Sequence, residues 1–303
     1  MTRILLTGKD GQVGWELQRT MASLGEVVAV GHREMDLADP DSIRKVIREI
    51  RPALIVNPAA YTAVDKAESE PDLAMAINGV APGILAEEAK KLNAALVHYS
   101  TDYVFDGKKP AAYSEDDAPN PLNVYGQTKL AGERAVQAAG ASYLILRTSW
   151  VYGARGKNFL LTILKLAGER SELKIVDDQI GAPTWCRMLA ETTARILAPV
   201  CAAPNPPAML ADTGGLYHLT AGGQTSWYGF AKKILENVPH SAIPAPAKLI
   251  PIPSSEYPAP AVRPRNSCLS NEKLMRSFGL TIPSWESSLA MCLQETIENS
   301  RKK

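Results

Sequence analysis

The first half of the chain alternates short, continuous apolar runs with stretches of helical pattern, and this alternation restricts the fold more than any other feature. The apolar runs are RILLTG, EVVAVG, ALIVNPAA, AALVHYSTDYVF and SYLILRTSWVYG, which begin at residues 3, 26, 53, 94 and 142. Strands that are apolar on both faces and separated by helices are typical of a parallel sheet covered on both sides. The pattern therefore predicts an α/β fold with a doubly wound parallel sheet.

A glycine-rich turn joins the first apolar run to the first helical stretch. The segment TGKDGQVG places Gly8, Gly11 and Gly14 in a G-x-x-G-x-x-G pattern. Glycines there permit a tight turn and a close approach of the backbone to a pyrophosphate, and the helix N-terminus adds unpaired N–H groups. The pattern predicts a Rossmann-type dinucleotide site after the first strand. The alternative is a tight turn that binds nothing.

The end of the second strand bears on which dinucleotide is bound. Enzymes that prefer NAD usually carry an acid there, which binds the ribose 2′-hydroxyl. This chain reads GHRE from Gly31, with Arg33 where a guanidinium could pair with a 2′-phosphate. The sequence therefore favours NADPH, with NADH as an alternative, although Arg33 could also be a solvated loop charge. Asp36 is expected nearer the adenine than the ribose.

The segment YGQTK places Tyr125 and Lys129 four residues apart, on one face of a predicted helix. The fourth strand ends in YSTDYVFDG, so Thr101 is expected at the same edge of the sheet. Reduction of a ketone requires a hydride on carbon and a proton on oxygen. We expect Tyr125 to donate that proton, with a nearby Lys129 ammonium lowering its pKa from the usual value of about 10. Lys129 could also bind the nicotinamide ribose, and Thr101 could bind the carbonyl oxygen.

The charge balance and the cysteine pattern exclude several other classes. Lys and Arg number 33 against 32 for Asp and Glu, so no basic field exists to attract nucleic acid or an anionic membrane. No apolar run is long enough for a membrane span or a signal peptide. Cys186, Cys201, Cys268 and Cys292 form no C-x-x-C pair, so neither a zinc site nor a disulfide framework is expected. We expect a soluble cytoplasmic protein that acts on a small molecule.

The pattern loosens after about residue 150. The segments 198–215 and 238–265 are rich in proline and are predicted to be long loops, whereas helices are predicted over 158–168, 185–197, 227–237 and 285–299. We therefore expect a dinucleotide-binding domain over residues 1–150 and, over 151–303, mainly a smaller α+β lobe that binds the substrate. The helix at 185–197 could pack back on the first domain.

The glycine motif, STDYVFDG and YGQTK together resemble the extended short-chain dehydrogenase/reductase superfamily, along nearly the whole chain. Within it, LLTGKDGQVGWEL, NPAAYTAVDKAE, RTSWVYG, DQIGAPT and RPRNSCLS are similar to the family of dTDP-4-dehydrorhamnose reductases. That resemblance implies NADPH-dependent reduction of the 4-keto group of a dTDP-4-dehydro-6-deoxy-L-sugar to dTDP-L-rhamnose, with the proton from Tyr125.

The resemblance also implies which residues bind the cofactor. It places one group at the phosphates, a second at the adenine and a third along the path to the nicotinamide. The first group is Gly11, Gln12 and Val13, the second Asp36 and Leu37, and the third Ala59, Ala60, Tyr61 and Tyr99.

A further set is expected around the sugar nucleotide. The resemblance implies contacts to the sugar from Thr101, Asp102, Tyr103 and Trp150. Asn158 could contact the sugar nucleotide or could cap a helix. Arg263 and Arg265 lie in a proline-braced loop, and guanidinium groups bind phosphate oxygens in a fork, so at least one is expected at the diphosphate.

One feature departs from the family pattern. Some members are dimers bridged by Mg²⁺, which carboxylates hold at the subunit contact. Here GAPT is followed by WCRMLAE, with Arg187 where an acid would help. No metal ligand is therefore assigned, and Mg²⁺ is kept as a possible cofactor for which the sequence names no residues. Both a monomer and a homodimer are compatible with the sequence.

Three other functions fit parts of the pattern. A sugar-nucleotide 4,6-dehydratase would carry Thr-Asp-Glu, but Tyr103 stands at the third position here. A 4-epimerase would retain its NAD tightly, which sequence does not measure. Regulatory subunits of methionine adenosyltransferase resemble the same reductases and can keep the tyrosine–lysine pair. The nucleotide base and the product stereochemistry at C4 stay open.

Overall fold

The computed structural model describes residues 1–239 and 246–301, and parallel β-structure lies at its centre. The strands are β1 (Arg3–Leu6), β2 (Glu26–Ala29), β3 (Leu54–Asn57), β4 (Ala95–Thr101), β5 (Ser142–Thr148), β6 (Val151–Tyr152), β7 (Glu172–Val176), β8 (Ile180–Gly181), β9 (Thr184–Trp185), β10 (Gly215–His218), β11 (Thr225–Ser226) and β12 (Lys248–Ile252). Six of them form one parallel sheet in the order β10-β5-β4-β3-β1-β2. The predicted doubly wound sheet is confirmed, and its order reverses between β1 and β3.

Helices connect the strands and cover the sheet. They are α1 (Gln12–Thr20), α2 (Pro40–Ile50), α3 (Val64–Ala67), α4 (Pro71–Met75), α5 (Ala81–Lys91), α6 (Val124–Ala139), α7 (Phe159–Glu169), α8 (Cys186–Ala202), α9 (Pro206–Thr213), α10 (Trp227–Asn237), α11 (Glu272–Phe278) and α12 (Trp285–Arg301). A π-helical turn over Ala76–Val80 joins α4 to α5. Among the described residues, no helix has the length and apolar character needed to cross a membrane.

Alternate residues of each strand enter two different cores. Ile4 and Leu6 pack on the side of α1 and α8, whereas Leu5 packs on the side of α2 and α5. All three side chains are completely buried. Burial of such a side chain stabilises the fold by about 1.5–3 kcal/mol. Packing against the helices therefore stabilises both faces of the sheet.

Residues from the second half of the chain complete this unit. β10 pairs with β5 and forms one edge of the sheet. α8 begins one residue after the predicted start of its helix and packs against α1, where the Thr20 hydroxyl donates to the carbonyl of Ala190. The division at residue 150 stays a prediction. The six-stranded sheet takes β10 from beyond that residue.

The prediction of long loops in the two proline-rich segments is wrong in part. α9 lies within 198–215, with Pro206 and Pro207 in its first turn, where a missing N–H costs no hydrogen bond. β12 lies within 238–265 and pairs with β7 in a two-stranded sheet, where Pro251 is tolerated at an edge. Residues 240–245 of that segment lie outside the described residues.

Candidate active site

A cleft of about 750 Å³ opens where the chain leaves the carboxyl ends of β1 to β5. It spans the point between β1 and β3 where the strand order reverses, the usual position of a ligand site in an open α/β sheet. The lining includes sixteen of the predicted residues: Gly8, Gly11, Gln12, Val13, Gly14, Asp36, Leu37, Ala59, Ala60, Tyr99, Thr101, Asp102, Tyr103, Tyr125, Lys129 and Trp150.

Five predicted residues do not line this cleft, and all of them are described. Arg33 and Arg265 are exposed, and Tyr61 turns its hydroxyl to Glu70 at 2.6 Å. The Asn158 side chain caps α7, and its amide donates to Gln12 Oε1 at 2.8 Å. Of the two roles expected for Asn158, the structure therefore shows the cap.

Arg263, the fifth of these residues, lies half-buried beside the cleft. Its guanidinium pairs with Asp65 of α3 at 2.7 Å and faces the phenol of Tyr103. The proline-braced loop is thereby held against α3, at the end of the cleft where the sugar nucleotide was expected.

The glycine turn has the geometry expected of a phosphate-binding loop. Gly8 has a φ of +60°, and the Gly11 N–H donates to its carbonyl at 3.0 Å. A Cβ on Gly14 would collide with the carbonyl oxygen of Gly8, so the helix can approach the turn only without a side chain there. This brings the N-terminus of α1, with its unpaired N–H groups, to the cleft wall.

The end of β2 carries an acid to which the sequence reasoning gave no role. The chain turns after Gly31, so that Glu34 returns its carboxylate to the Gly31 N–H at 2.8 Å. Lys9 Nζ lies 2.5 Å from the same carboxylate. The bond from Lys9, followed by the Gly31 N–H, lowers the pKa of Glu34. The strand end therefore carries a neutralised acid beside the exposed Arg33.

The tyrosine–lysine pair lies on α6, which Asn123 caps through the N–H of Gly126 at 2.8 Å. Lys129 is only 2% exposed, and its Nζ donates to the carbonyl of Tyr99 at 2.6 Å. Burial lowers the pKa of Lys129 to about 8, against the opposing charge of Glu133. A lysine of this pKa exchanges protons close to neutral pH.

The pKa of Tyr125 is raised, whereas the sequence predicted that it would be lowered. Burial raises it to about 12, the Thr101 hydroxyl lowers it, and the Asp102 carboxylate adds to the rise. The lysine ammonium was expected to lower it, but the ammonium is directed to the Tyr99 carbonyl instead. Tyr125 is therefore held as a neutral phenol, the form that can donate a proton.

Thr101, Asp102 and Tyr103 follow β4 and lie beside the pair, with Thr101 and Tyr103 in contact with Tyr125. The Thr101 hydroxyl donates to Asp102 Oδ1 at 2.9 Å, and the rings of Tyr103 and Tyr125 meet edge to face at 5.6 Å. Burial raises the pKa of Asp102 to about 6, although hydrogen bonds from Ser267 and Thr101 oppose the rise. A carboxyl group that can either donate or accept near neutrality thus faces the cleft.

Trp227 and Lys157 are among the lining residues that sequence reasoning did not assign. Trp227 stacks on Trp150 with ring centroids 3.5 Å apart, and Trp150 has a φ of +46°, a strained value for a bulky residue. Trp227 follows the two-residue strand β11, and no local motif marks it. Lys157 follows Gly156 in the loop before α7 and lines the cleft near Gln12. The pair of glycines in YGARGK was its one sequence signal.

Arg187 of α8 joins this helix to α1 and α12. Its guanidinium lies 3.1 Å from Glu16 of α1 and 2.8 Å from Glu295 of α12. In the part of the chain that the structure describes, no group of three or more His, Cys, Asp or Glu residues is arranged to hold a metal ion.

A doubly wound sheet whose glycine turn and tyrosine–lysine pair meet at one cleft defines an oxidoreductase of the short-chain dehydrogenase/reductase class. A sequence model of the family described as RmlD substrate binding domain matches residues 1–298. The chain belongs to that family.

Several proteins similar to this chain are named dTDP-4-dehydrorhamnose reductase. This chain is 49% identical over 298 residues to the Burkholderia thailandensis enzyme of that name, with 97% of this chain and 99% of the relative covered. It is 47% identical over 297 residues to the Escherichia coli K12 enzyme of that name, with 96% and 97% covered. The crystal structure of the Bacillus anthracis dTDP-4-dehydrorhamnose reductase in complex with NADP matches with a TM-score of 0.86 and 36% identity, over 97% of this chain and 99% of that one.

Proposed function

We propose that the protein is an NADPH-dependent dTDP-4-dehydrorhamnose reductase, which converts dTDP-4-dehydro-6-deoxy-L-mannose to dTDP-L-rhamnose. The observation that carries the proposal is the meeting of Tyr125, Lys129 and Thr101 with the glycine turn in one cleft. The relatives at 47–49% identity bear the name of this activity. Tyr103 occupies the position where a dehydratase would need a second acid, which favours simple reduction.

The residues of the cleft fit a dinucleotide. The N-terminus of α1 and the glycine turn would hold the pyrophosphate, and Asp36 and Leu37 lie where an adenine would be expected. When bound, NADPH supplies the hydride that reaches C4 of the sugar. Ala59, Ala60 and Tyr99 would form the wall beside the nicotinamide, and Lys129 would bond its ribose.

Tyr125 would supply the proton. Its neutral phenol passes the proton to the carbonyl oxygen as the hydride reaches carbon, and the phenolate then regains a proton from the Lys129 ammonium. Lys129, with a pKa of about 8, recovers its own proton from solvent. Once its hydroxyl turns from Asp102 Oδ1, to which it donates in this structure, Thr101 would donate a hydrogen bond to the same oxygen and fix its orientation.

The preference for NADPH rests on cations near the end of β2. Arg33 is exposed and free to swing toward a 2′-phosphate, and Lys157 lines the cleft close to the glycine turn. Lys9 pairs with Glu34 at the strand end, so Glu34 would not repel that phosphate strongly. The relative from Bacillus anthracis was solved with NADP. We expect Arg33→Ala to raise the KM for NADPH more than that for NADH.

The sugar nucleotide would lie between Tyr103 and Tyr125 on one side and the stacked Trp150 and Trp227 on the other. Asp102, Tyr103 and Trp150 would surround the sugar. Arg263 is better placed for the diphosphate than Arg265, because its guanidinium already reaches Tyr103 at the cleft margin. A contact from Asn158 would have to pass through Gln12, to which its amide is bonded.

The test is the oxidation of NADPH, followed by absorbance, with the 4-keto sugar nucleotide generated in situ. Tyr125→Phe removes the proton donor and should lower kcat by at least about 100-fold, while NADPH binding is retained. Tyr143→Phe is a matched control, since Tyr143 lies near the start of β5, at the opposite end of the sheet from the cleft. Equal turnover in wild type and Tyr125→Phe would overturn the assignment of the donor.

A further inference from the structure

We propose that His98 is a positioning residue for Lys129: its neutral imidazole, fixed by Asn57 with the hydrogen on Nε2, presents an N–H to the lysine nitrogen and stabilises the uncharged amine. The proposal deepens the proposed function, since it assumes that Lys129 exchanges protons during reduction. The arrangement of the imidazole can nevertheless be tested without substrate.

A buried chain of polar side chains leads from the glycine turn to Lys129. The Thr7 hydroxyl lies 2.6 Å from Asn57 Oδ1, and Asn57 Nδ2 lies 3.0 Å from His98 Nδ1. The opposite ring nitrogen, Nε2, lies 3.5 Å from Lys129 Nζ. Thr7, Asn57, His98 and Lys129 are each no more than 2% exposed. Water therefore does not compete with these contacts.

The direction of each hydrogen bond follows from the first donor. The backbone N–H of Ala59 donates to the Thr7 hydroxyl oxygen, so the hydroxyl hydrogen is free to go to Asn57 Oδ1. The Asn57 amide then turns its NH₂ group to His98, whose Nδ1 must accept. A neutral imidazole that accepts at Nδ1 carries its hydrogen on Nε2. That hydrogen points at Lys129.

The contact distinguishes the two charge states of the lysine. An ammonium group has three N–H donors and no acceptor, so it opposes another N–H. The amine has a lone pair that can accept from Nε2–H, while one of its own N–H groups still donates to the Tyr99 carbonyl. His98 itself stays neutral, because burial and the nearby lysine charge both lower its pKa.

The other groups that face Lys129 do not favour the amine. Tyr125 and Glu133 lie one turn away on α6, and the Glu133 charge raises the pKa of the lysine. Arg147 of β5 balances that carboxylate in a bidentate pair. The Tyr99 carbonyl of β4 accepts a hydrogen bond from the ammonium and from the amine alike. His98 is therefore the polar neighbour that favours one charge state of Lys129 over the other.

The role in the reaction follows from the proton count. Tyr125 loses a proton to the substrate oxygen, Lys129 passes one to the phenolate and becomes an amine, and solvent returns a proton to the amine. The Nε2–H of His98 stabilises that amine and is not itself transferred. His98 therefore acts through Lys129 and need not touch the substrate.

The direct test is nitrogen-15 NMR of histidine-labelled protein, without substrate. The chain contains four histidines, and His98→Gln identifies the relevant signals by their loss. We expect the Nε2–H pattern, unchanged between about pH 6 and pH 8, where an exposed histidine would titrate. An Nδ1–H pattern, or an imidazolium in that range, would overturn the proposal whether or not the protein reduces a sugar nucleotide.

Asn57→Asp provides a second test, because a carboxylate can accept from Nδ1–H and so reverses the tautomer. The imidazole would then present a lone pair to the ammonium, and the alkaline limit of reduction should rise by about one pH unit. The negative charge of the new aspartate also raises the alkaline limit. As a control, Asn57→Asp is therefore also made in the His98→Gln variant. An equal shift in both backgrounds would contradict a role for the imidazole.

Discussion

Arg147 and Glu133 form a bidentate ion pair, with N–O distances of 2.8 and 2.6 Å, in which each side chain is only 2% exposed. The pair ties β5 to α6 one helical turn beyond Lys129. Because Glu133 raises the pKa of Lys129, the pair connects the rigidity of the helix with the proton chemistry of the cleft.

Glu133→Gln leaves the Arg147 guanidinium buried without its counter-charge. We expect the free energy of unfolding to fall by about 3–5 kcal/mol, and the alkaline limit of activity to move to lower pH, since a charge that stabilises the ammonium is lost. Urea unfolding and a pH–rate profile measure the two effects. A variant as stable as wild type would show that the pair does not hold α6 in place.

Arg187→Gln removes the cation that lies between Glu16 and Glu295. The two carboxylates would then face each other across α1 and α12, and we expect a loss of about 1–2 kcal/mol, discounted because Arg187 is about a third exposed. Arg195→Gln, an exposed change on the same helix, is the control and should have little effect.

In wild type the Arg187 guanidinium already supplies positive charge between Glu16 and Glu295, so a chelator should not change the unfolding midpoint. A chelator-induced drop would contradict this.

The rate of reduction should decline as pH rises through about 8. The pKa of Lys129 is lowered from its usual value to about 8, so the ammonium that reprotonates Tyr125 is present below that pH and lost above it. Oxidation of dTDP-L-rhamnose needs the opposite charge state and should gain over the same interval. Profiles of kcat in both directions measure this, and parallel profiles would argue against a proton role for Lys129.

Trp227→Ala removes the ring that stacks on Trp150 at 3.5 Å. Trp150 would then be free to leave its strained backbone conformation, and we expect the KM for the sugar nucleotide to rise roughly 10-fold, as for the loss of about 1.4 kcal/mol of binding. The KM for NADPH should change little. Trp227→Phe keeps part of the stack, so its KM for the sugar nucleotide should lie between those of wild type and Trp227→Ala. Equal effects on both KM values would indicate general damage to the cleft.

Local patterns predicted the parts of the site that local geometry determines. The four-residue spacing of Tyr125 and Lys129 sets a shared helix face, and the continuous apolar run around Leu5 required burial on both sides of the sheet. Glu34 was missed because its carboxylate reaches the strand end only through a turn after Gly31. Asn158 was ambiguous because one amide can cap a helix or bind a ligand.

Long-range contacts lie beyond such patterns. His98 meets Asn57 and Lys129 across 41 and 31 residues of sequence, so nothing near it marks the contact. The pKa of Tyr125 was predicted in the wrong direction for a similar reason, since burial by distant elements raises it and the Lys129 ammonium donates to the Tyr99 carbonyl instead. The strand β12 was missed because its partner, β7, lies more than seventy residues away.

The most direct test of the proposed reaction is to supply NADPH deuterated at the transferred position and to locate the label in the product by NMR. The account predicts dTDP-L-rhamnose with deuterium at C4 of the sugar and one NADPH consumed for each product molecule. Folded protein that binds NADPH but transfers no deuterium to the sugar, or transfers it to a carbon other than C4, would contradict the account.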